Sequence, residues 1–121
     1  MYRILIAEDE VQIAAFIDKG LRKNGFETAI VTNGNDVLAK LQSESFNLLL
    51  LDLGLPGKSG WMVLKELRQS HQTLPIVIVT ARDGESNRQV SLNLGANDFL
   101  SKPFRFSDLL RSIKNQLGLL S

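Results

Sequence analysis

Residues 48–57 read LLLLDLGLPG. Four leucines run directly into Asp52, and Leu55-Pro56-Gly57 then supplies a turn. A carboxylate withdrawn from water without a partner is costly, or it takes up a proton. An acid ending the most apolar run of the chain therefore needs a reason. A continuous apolar run this short fits a strand buried on both faces, as in a parallel sheet. Similar runs stand at residues 4–7 (ILIA), 29–31 (AIV) and 76–79 (IVIV), with a weaker one at Phe99-Leu100.

Between these runs the apolar residues take helical spacing. Ala14, Ile17 and Leu21 share one face, and Asn24-Gly25 supplies a stop. Val37, Leu38 and Leu41 form a second stripe, with Asn35-Asp36 read as its cap. Met62, Leu64 and Leu67 predict a third helix, opened by Trp61, with Lys65, Arg68 and Gln69 toward water. Val90 and Leu94 mark a fourth, diluted by Ser, Asn and Gln and ended by Gly95. Ser107 reads as the N-cap of a fifth, with Leu109, Leu110, Ile113 and Leu117 inside it and Phe104 and Phe106 anchoring it. Lys58 and the single histidine, His71, are expected in water. Five alternations of strand and helix predict an α/β domain. The commonest topology that fits is a flavodoxin-like, doubly wound parallel sheet of five strands in the order 2-1-3-4-5, with five helices.

Composition removes several function classes. The 121 residues include 14 basic and 13 acidic ones, a formal net charge of +1, so no global field draws nucleic acid or an anionic membrane. Apolar residues make up 44%, enough for one packed core. The absence of cysteine excludes disulfides, thiolate metal sites and cysteine nucleophiles. The opening MYRILIAEDE lacks the apolar region and cleavage site of a signal peptide. No apolar run approaches a membrane span. The expectation is a soluble, cytoplasmic domain with no membrane partner.

In an open parallel sheet the functional crevice lies beyond the carboxyl ends of the strands, near the switch in strand order. Glu8, Asp9 and Glu10 follow the first strand, Asp52 the third, Thr80 and Ala81 the fourth, and Ser101, Lys102 and Pro103 the fifth. Glu8, Asp9 and Asp52 would converge, with Thr80 and Lys102 on the far side. Clustered carboxylates raise one another's proton affinity unless a cation intervenes. Mg²⁺ takes one or two carboxylates, keeps waters and leaves room for a phosphate oxygen. Lys102 and the Thr80 hydroxyl could hold the other oxygens, an arrangement suited to phosphoryl transfer onto a carboxylate. Each residue also has a plainer reading. Asp9 or Glu10 could cap a helix, Asp52 could open an Asx turn, Thr80 could simply end a strand, and Lys102 could be solvated. The joint placement of four strand ends on one rim weighs against those readings.

The sequence resembles the response-regulator receiver domain, the CheY-like phosphoacceptor module of two-component signalling. The matching stretches are ILIAEDE (4–10), LLLLDLGLPGKSG (48–60), PIVIVTAR (75–82) and LGANDFLSKPF (94–104), and the likeness extends over residues 1–121. The resemblance implies that Glu8 and Asp9 organise Mg²⁺ (or Mn²⁺) and that Asp52 accepts the phosphoryl group from a histidine kinase or phosphotransfer protein. The backbone carbonyl of Gly54 would be a further metal ligand. Thr80 would be the switch hydroxyl, Lys102 the phosphate contact, Phe99 the switch aromatic, and Pro103 the residue after a cis bond. Ala81 and Arg82 would flank the site. Phe99 departs from the tyrosine common at its position, and Gly54 from the larger side chain common there.

The resemblance also offers a homodimer face on helix 4, strand 5 and helix 5. Arg88 and Asp108 match one family ion pair. Asp98 matches half of another, whose partner position holds Ser112 with Arg111 beside it. A C-terminal DNA-binding effector, absent from this chain, is one output it admits. Chemistry of this kind is self-catalysed phosphorylation and dephosphorylation rather than turnover of an external substrate. A nucleotide or flavin binder would need a Gly-rich phosphate loop where three acids stand. An aspartate phosphatase would need a second acid soon after the nucleophile and a cap domain. An interaction module without phosphoryl chemistry would not need the full set of site residues.

Overall fold

The computed structural model describes residues 1–71, 73–81 and 85–120. Strands and helices alternate throughout: β1 (Arg3–Ala7), α1 (Val11–Lys23), β2 (Glu27–Val31), α2 (Gly34–Ser43), β3 (Leu48–Leu51), α3 (Gly60–Ser70), β4 (Ile76–Thr80), α4 (Glu85–Asn93), β5 (Asp98–Ser101) and α5 (Phe106–Gln116). The five strands form one parallel sheet in the order β2-β1-β3-β4-β5, as the sequence pattern predicts.

Successive strand residues point to opposite faces, so each apolar run feeds two cores. Leu5, Ala7, Leu49, Leu51, Ile76 and Ile78 face α2 and α3, where Val37, Leu41, Val63, Leu64 and Leu67 meet them. Ile4, Ile6, Leu48, Leu50, Val77 and Val79 face α1 and α5, against Ile17, Leu21, Leu109 and Ile113. β1, β3 and β4 are nearly sealed, which is why their sequences are continuous rather than alternating. β2 is an edge strand and differs: its Ile30 is 41% exposed.

Several local expectations are corrected. The α2 cap is Asn33, whose Oδ1 accepts the Asp36 N–H at 2.9 Å, so Asn35 and Asp36 lie inside the helix. α5 starts one residue before Ser107, with Arg105 at the N-cap position and no side-chain cap bond. Met62 is 49% exposed, and Val63 takes the core place assigned to it. In α4 Ser91 is buried while Val90 is 45% exposed, and Leu94 lies past the helix end. Lys58 is half-buried and pairs with Glu66 at 2.6 Å. Arg68 turns inward, donating to the carbonyls of Gly95 and His71 and to Asn97 Oδ1. Trp61 and Phe104 pack against the cores as expected.

Candidate functional site

Backbone pairing at the carboxyl ends of the central strands brings the acids together. The Asp52 N–H donates to the Ala7 carbonyl at 3.1 Å, so Asp52 leaves β3 beside the point where Glu8 leaves β1. Glu8, Asp9 and Asp52 each present a carboxylate oxygen within 4.8 Å of the others. Glu8 and Asp52 are buried and Asp9 is exposed. The Lys102 N–H donates to the Thr80 carbonyl at 2.9 Å, just past β4 and β5, which sends the lysine side chain back over the crevice. Its Nζ lies 2.6 Å from Glu8 Oε1, 3.2 Å from Asp52 Oδ2 and 3.6 Å from Glu10 Oε1, and the Lys102 side chain is only 7% exposed. The next peptide bond, Lys102–Pro103, is cis.

The local electrostatics follow from this packing. Burial raises the proton affinity of Glu8, and the Asp52 charge adds to it. Lys102 and the Glu10 N–H act the other way without cancelling the rise. Burial alone would lower the Lys102 pKa, yet its hydrogen bond to Glu8 and the charges of Asp52 and Glu8 hold it above the ordinary lysine value. One ammonium thus serves two buried carboxylates. The donor set is entirely oxygen, which fits a hard divalent cation. Glu10, which the sequence places after the first strand as a possible helix cap, stands at the N-cap position of α1 without a side-chain cap bond. It completes the rim, and its N–H donates to Glu8 Oε2 at 3.0 Å.

The remaining sequence-derived positions fall around this centre or apart from it. Thr80 is buried at the end of β4, and Ala81 beyond it is exposed. Gly54 is exposed, and its N–H donates to Asp52 Oδ1 at 3.0 Å. Phe99 is buried in the α2–α3 core. Arg82 lies outside the described residues. Arg88, Asp98, Asp108 and Arg111 form a separate group. Arg88 Nη1 donates to the Phe99 carbonyl at 3.0 Å, and Asp98 Oδ2 accepts from Ser112 Oγ at 2.5 Å. Asp98, Asp108 and Arg111 share an open groove of about 410 Å³ between β5 and α5.

Beside Lys102 lies a feature that the sequence reading missed. Gln12, Ile13, Phe16, Lys102, Pro103 and Phe104 line an open groove of about 210 Å³. Phe16 is 52% exposed and stands against Phe104 and, edge-on, Phe106. The available signal was an aromatic on α1 outside the Ala14-Ile17-Leu21 stripe.

Fold and crevice together define a class: a doubly wound α/β domain whose switch point carries buried acids and a lysine. Residues 4–114 match the family model of the response regulator receiver domain, and the chain belongs to that family, the receivers of two-component signal transduction. It is 41% identical over 115 residues to the transcriptional activator protein IrlR of Burkholderia pseudomallei, covering 95% of this chain and 50% of that protein. It is 42% identical over 114 residues to the sensory transduction protein RegX3 of Mycobacterium tuberculosis, covering 94% of this chain and 50% of that one. The chain thus spans about half the length of these curated relatives. Among solved structures it resembles the receiver domain of the sensor histidine kinase PA1611 from Pseudomonas aeruginosa, described with a magnesium ion coordinated in its active-site cleft. That match has a TM-score of 0.88 and 28% identity, over 97% of this chain and 98% of that one. No helix among the described residues is long and apolar enough to cross a membrane.

Proposed function

We propose that residues 1–121 form a phosphoacceptor domain in which Asp52 takes a phosphoryl group from the phosphohistidine of a sensor histidine kinase or phosphotransfer protein. The supporting observation is the placement of Asp52 at the end of a rigid central strand, 3.2 Å from Lys102 Nζ and among the oxygens of Glu8 and Asp9. An Asp52 carboxylate oxygen attacks phosphorus. A P–O bond forms, the P–N bond breaks, and its electron pair leaves with the imidazole, which takes up a proton. Glu8, Asp9, Asp52 and the Gly54 carbonyl would hold Mg²⁺, with Mn²⁺ an alternative, and the cation would offset the charge of acids and phosphoryl oxygens. Lys102 turns its ammonium from the acids to a phosphoryl oxygen, and the Thr80 hydroxyl binds another. Pro103 fixes the direction of the lysine, while Ala81 borders the entrance. The domain acts on itself, catalysing its own phosphorylation and slow dephosphorylation.

The protein donor approaches over the exposed aromatic groove beside Lys102. Output passes through Phe99 to the α4–β5–α5 face with Arg88, Asp98, Asp108 and Arg111, reaching a second copy or a C-terminal DNA-binding effector. The double length of IrlR and RegX3, and the description of IrlR as a transcriptional activator, support such an effector. The protein works in the cytoplasm. The test is intact-protein mass after incubation with Mg²⁺ and acetyl phosphate. One phosphoryl adduct is expected, absent from Asp52→Asn and from a metal-free control. An adduct that persists in Asp52→Asn refutes the assignment.

A further inference from the structure

Between Asp52 and α3 the chain runs through residues 53–59, the loop that carries Gly54. Leu53 and Leu55 are buried and tether it from within. At its far end Gly60 lies directly on the acceptor's backbone. A Cβ there would stand 2.3 Å from the Asp52 carbonyl oxygen and 2.5 Å from Leu53 Cα. The loop's outer side is clasped by the start of α2. The Gly34 N–H donates to the Pro56 carbonyl at 3.1 Å, and a Cβ on Gly34 would lie 1.7 Å from the Lys58 carbonyl oxygen. Gly57, in the left-handed region at φ 73°, brings its backbone against Asn35, where a Cβ would meet Nδ2 at 2.8 Å. α2 contributes no carboxylate or cation to the crevice, yet its first residue touches the acceptor loop without any intervening atom.

We propose that Gly34 is a positioning residue for phosphoryl acceptance: lacking a side chain, it lets α2 clamp loop 53–59 and so fixes Gly54 and Asp52 relative to Glu8 and Lys102. The proposal rests on reading Asp52 as the phosphoacceptor. An ordinary carbon–oxygen contact is about 3.3 Å or longer. A Cβ at position 34 therefore forces α2 and Lys58 apart by roughly 1.5 Å. Misplacement of reacting groups by about 1 Å can cost on the order of 100-fold in rate. The hydrogen bond from the Gly54 N–H to Asp52 Oδ1 makes the displacement readable without any metal or phosphodonor.

The test compares the parent chain with Gly34→Ala and with Val37→Ala. Val37 is fully buried one turn further along α2, so its truncation loosens the helix without inserting an atom against the loop. Amide exchange is measured first, in metal-free protein. Faster exchange at Gly54 is expected in Gly34→Ala and parent-like exchange in Val37→Ala. The rate of adduct formation from acetyl phosphate and Mg²⁺ is measured next. A loss of about 10-fold or more is expected for Gly34→Ala, with Val37→Ala within about twofold of the parent. If Gly34→Ala does not fold, Gly57→Ala loosens the same clasp from the loop side and carries the same expectation. Equal losses in the α2 variants, or unchanged exchange and rate in Gly34→Ala, overturn the proposal. A parent that accepts no phosphoryl group overturns the reading of Asp52 and the positioning role with it. A phosphorylated parent beside an unimpaired Gly34→Ala overturns the positioning role alone.

Discussion

Replacing Lys102 by Met removes one charge and little volume from a crevice whose Lys102 and Glu8 side chains are 7% and 3% exposed. In the parent, Lys102 holds its proton more tightly than an ordinary lysine, despite burial, because Glu8 bonds it and Asp52 and Glu8 surround it. A pKa raised in the fold gives stability that is complete below the unfolded value and lost as pH rises through the folded one. At about pH 7.5 the parent therefore has this contribution in full. Lys102→Met leaves Glu8 and Asp52 adjacent and uncompensated, and breaking a buried pair in this way costs about 3 kcal/mol. With a urea slope of about 2 kcal/mol per molar, the unfolding midpoint falls by roughly 1.5 M in EDTA. Glu8 already has a raised pKa, from burial first and then from the Asp52 charge. A carboxyl raised in the fold gives stability that is complete below its unfolded value and lost as pH rises through the folded one, so protonation of Glu8 should close most of the gap near pH ~4. Added Mg²⁺ should also narrow it at neutral pH. Urea titrations of both proteins at the two pH values decide the matter. A midpoint gap of the same size at both, or none at the higher, would falsify the view of Lys102 as counter-charge to buried acids.

Other expectations follow from single contacts. Phe16→Ala should slow phosphotransfer from a protein donor by about 10-fold, the typical cost of a lost aromatic anchor, and leave acetyl phosphate labelling unchanged. Equal effects on both donors would place Phe16 in the chemistry instead. Gly54→Met should lengthen the phosphoryl half-life several-fold by covering the exposed position beside Asp52; an unchanged decay of the labelled protein would show that position 54 does not gate water. Arg68→Met should cost about 2 kcal/mol in urea unfolding, since it strips charged donors from the Gly95 and His71 carbonyls and Asn97 Oδ1. Its rate of phosphorylation should match the parent's, and a loss of rate without a loss of stability would contradict the structural assignment.

The sequence disclosed the central strands most clearly, because burial on both faces leaves no polar residue to interrupt ILIA, LLLL or IVIV. It disclosed β2 less well, since an edge strand alternates and Glu27, Thr28 and Ile30 blur its limits. Helix starts were misplaced where several cap-capable residues stand in line. Asn33, Asn35 and Asp36 all qualify by type, and only the geometry selects Asn33. α4 was read in the wrong phase because it buries Ser91, a polar residue that satisfies itself by donating to the Arg88 carbonyl at 2.9 Å. The crevice acids and Lys102 were legible because topology alone sends strand ends to one rim. Phe16 was not, since an aromatic off the core stripe has no partner until β5 and α5 are in place. Nor were the close approaches at Gly34 and Gly60 visible, because a glycine's packing role depends on what lies opposite it.

The parallel sheet also sets an order of events on a growing chain. Ile4 must wait for Leu48 before β1 is flanked on both sides, about twice the span that separates Val77 from Asp98. Each doubling of such a loop adds only about 0.6 kcal/mol of closure entropy, so the delay is one of synthesis rather than of thermodynamics. Glu8, Asp9 and Asp52 can meet once β3 has emerged, while Lys102 is still some fifty residues from being made. Any state in which β1 and β3 pair before Lys102 is made would gather these like charges without the lysine that offsets them. Until Lys102 is present, offsetting those charges falls to protons or solution ions.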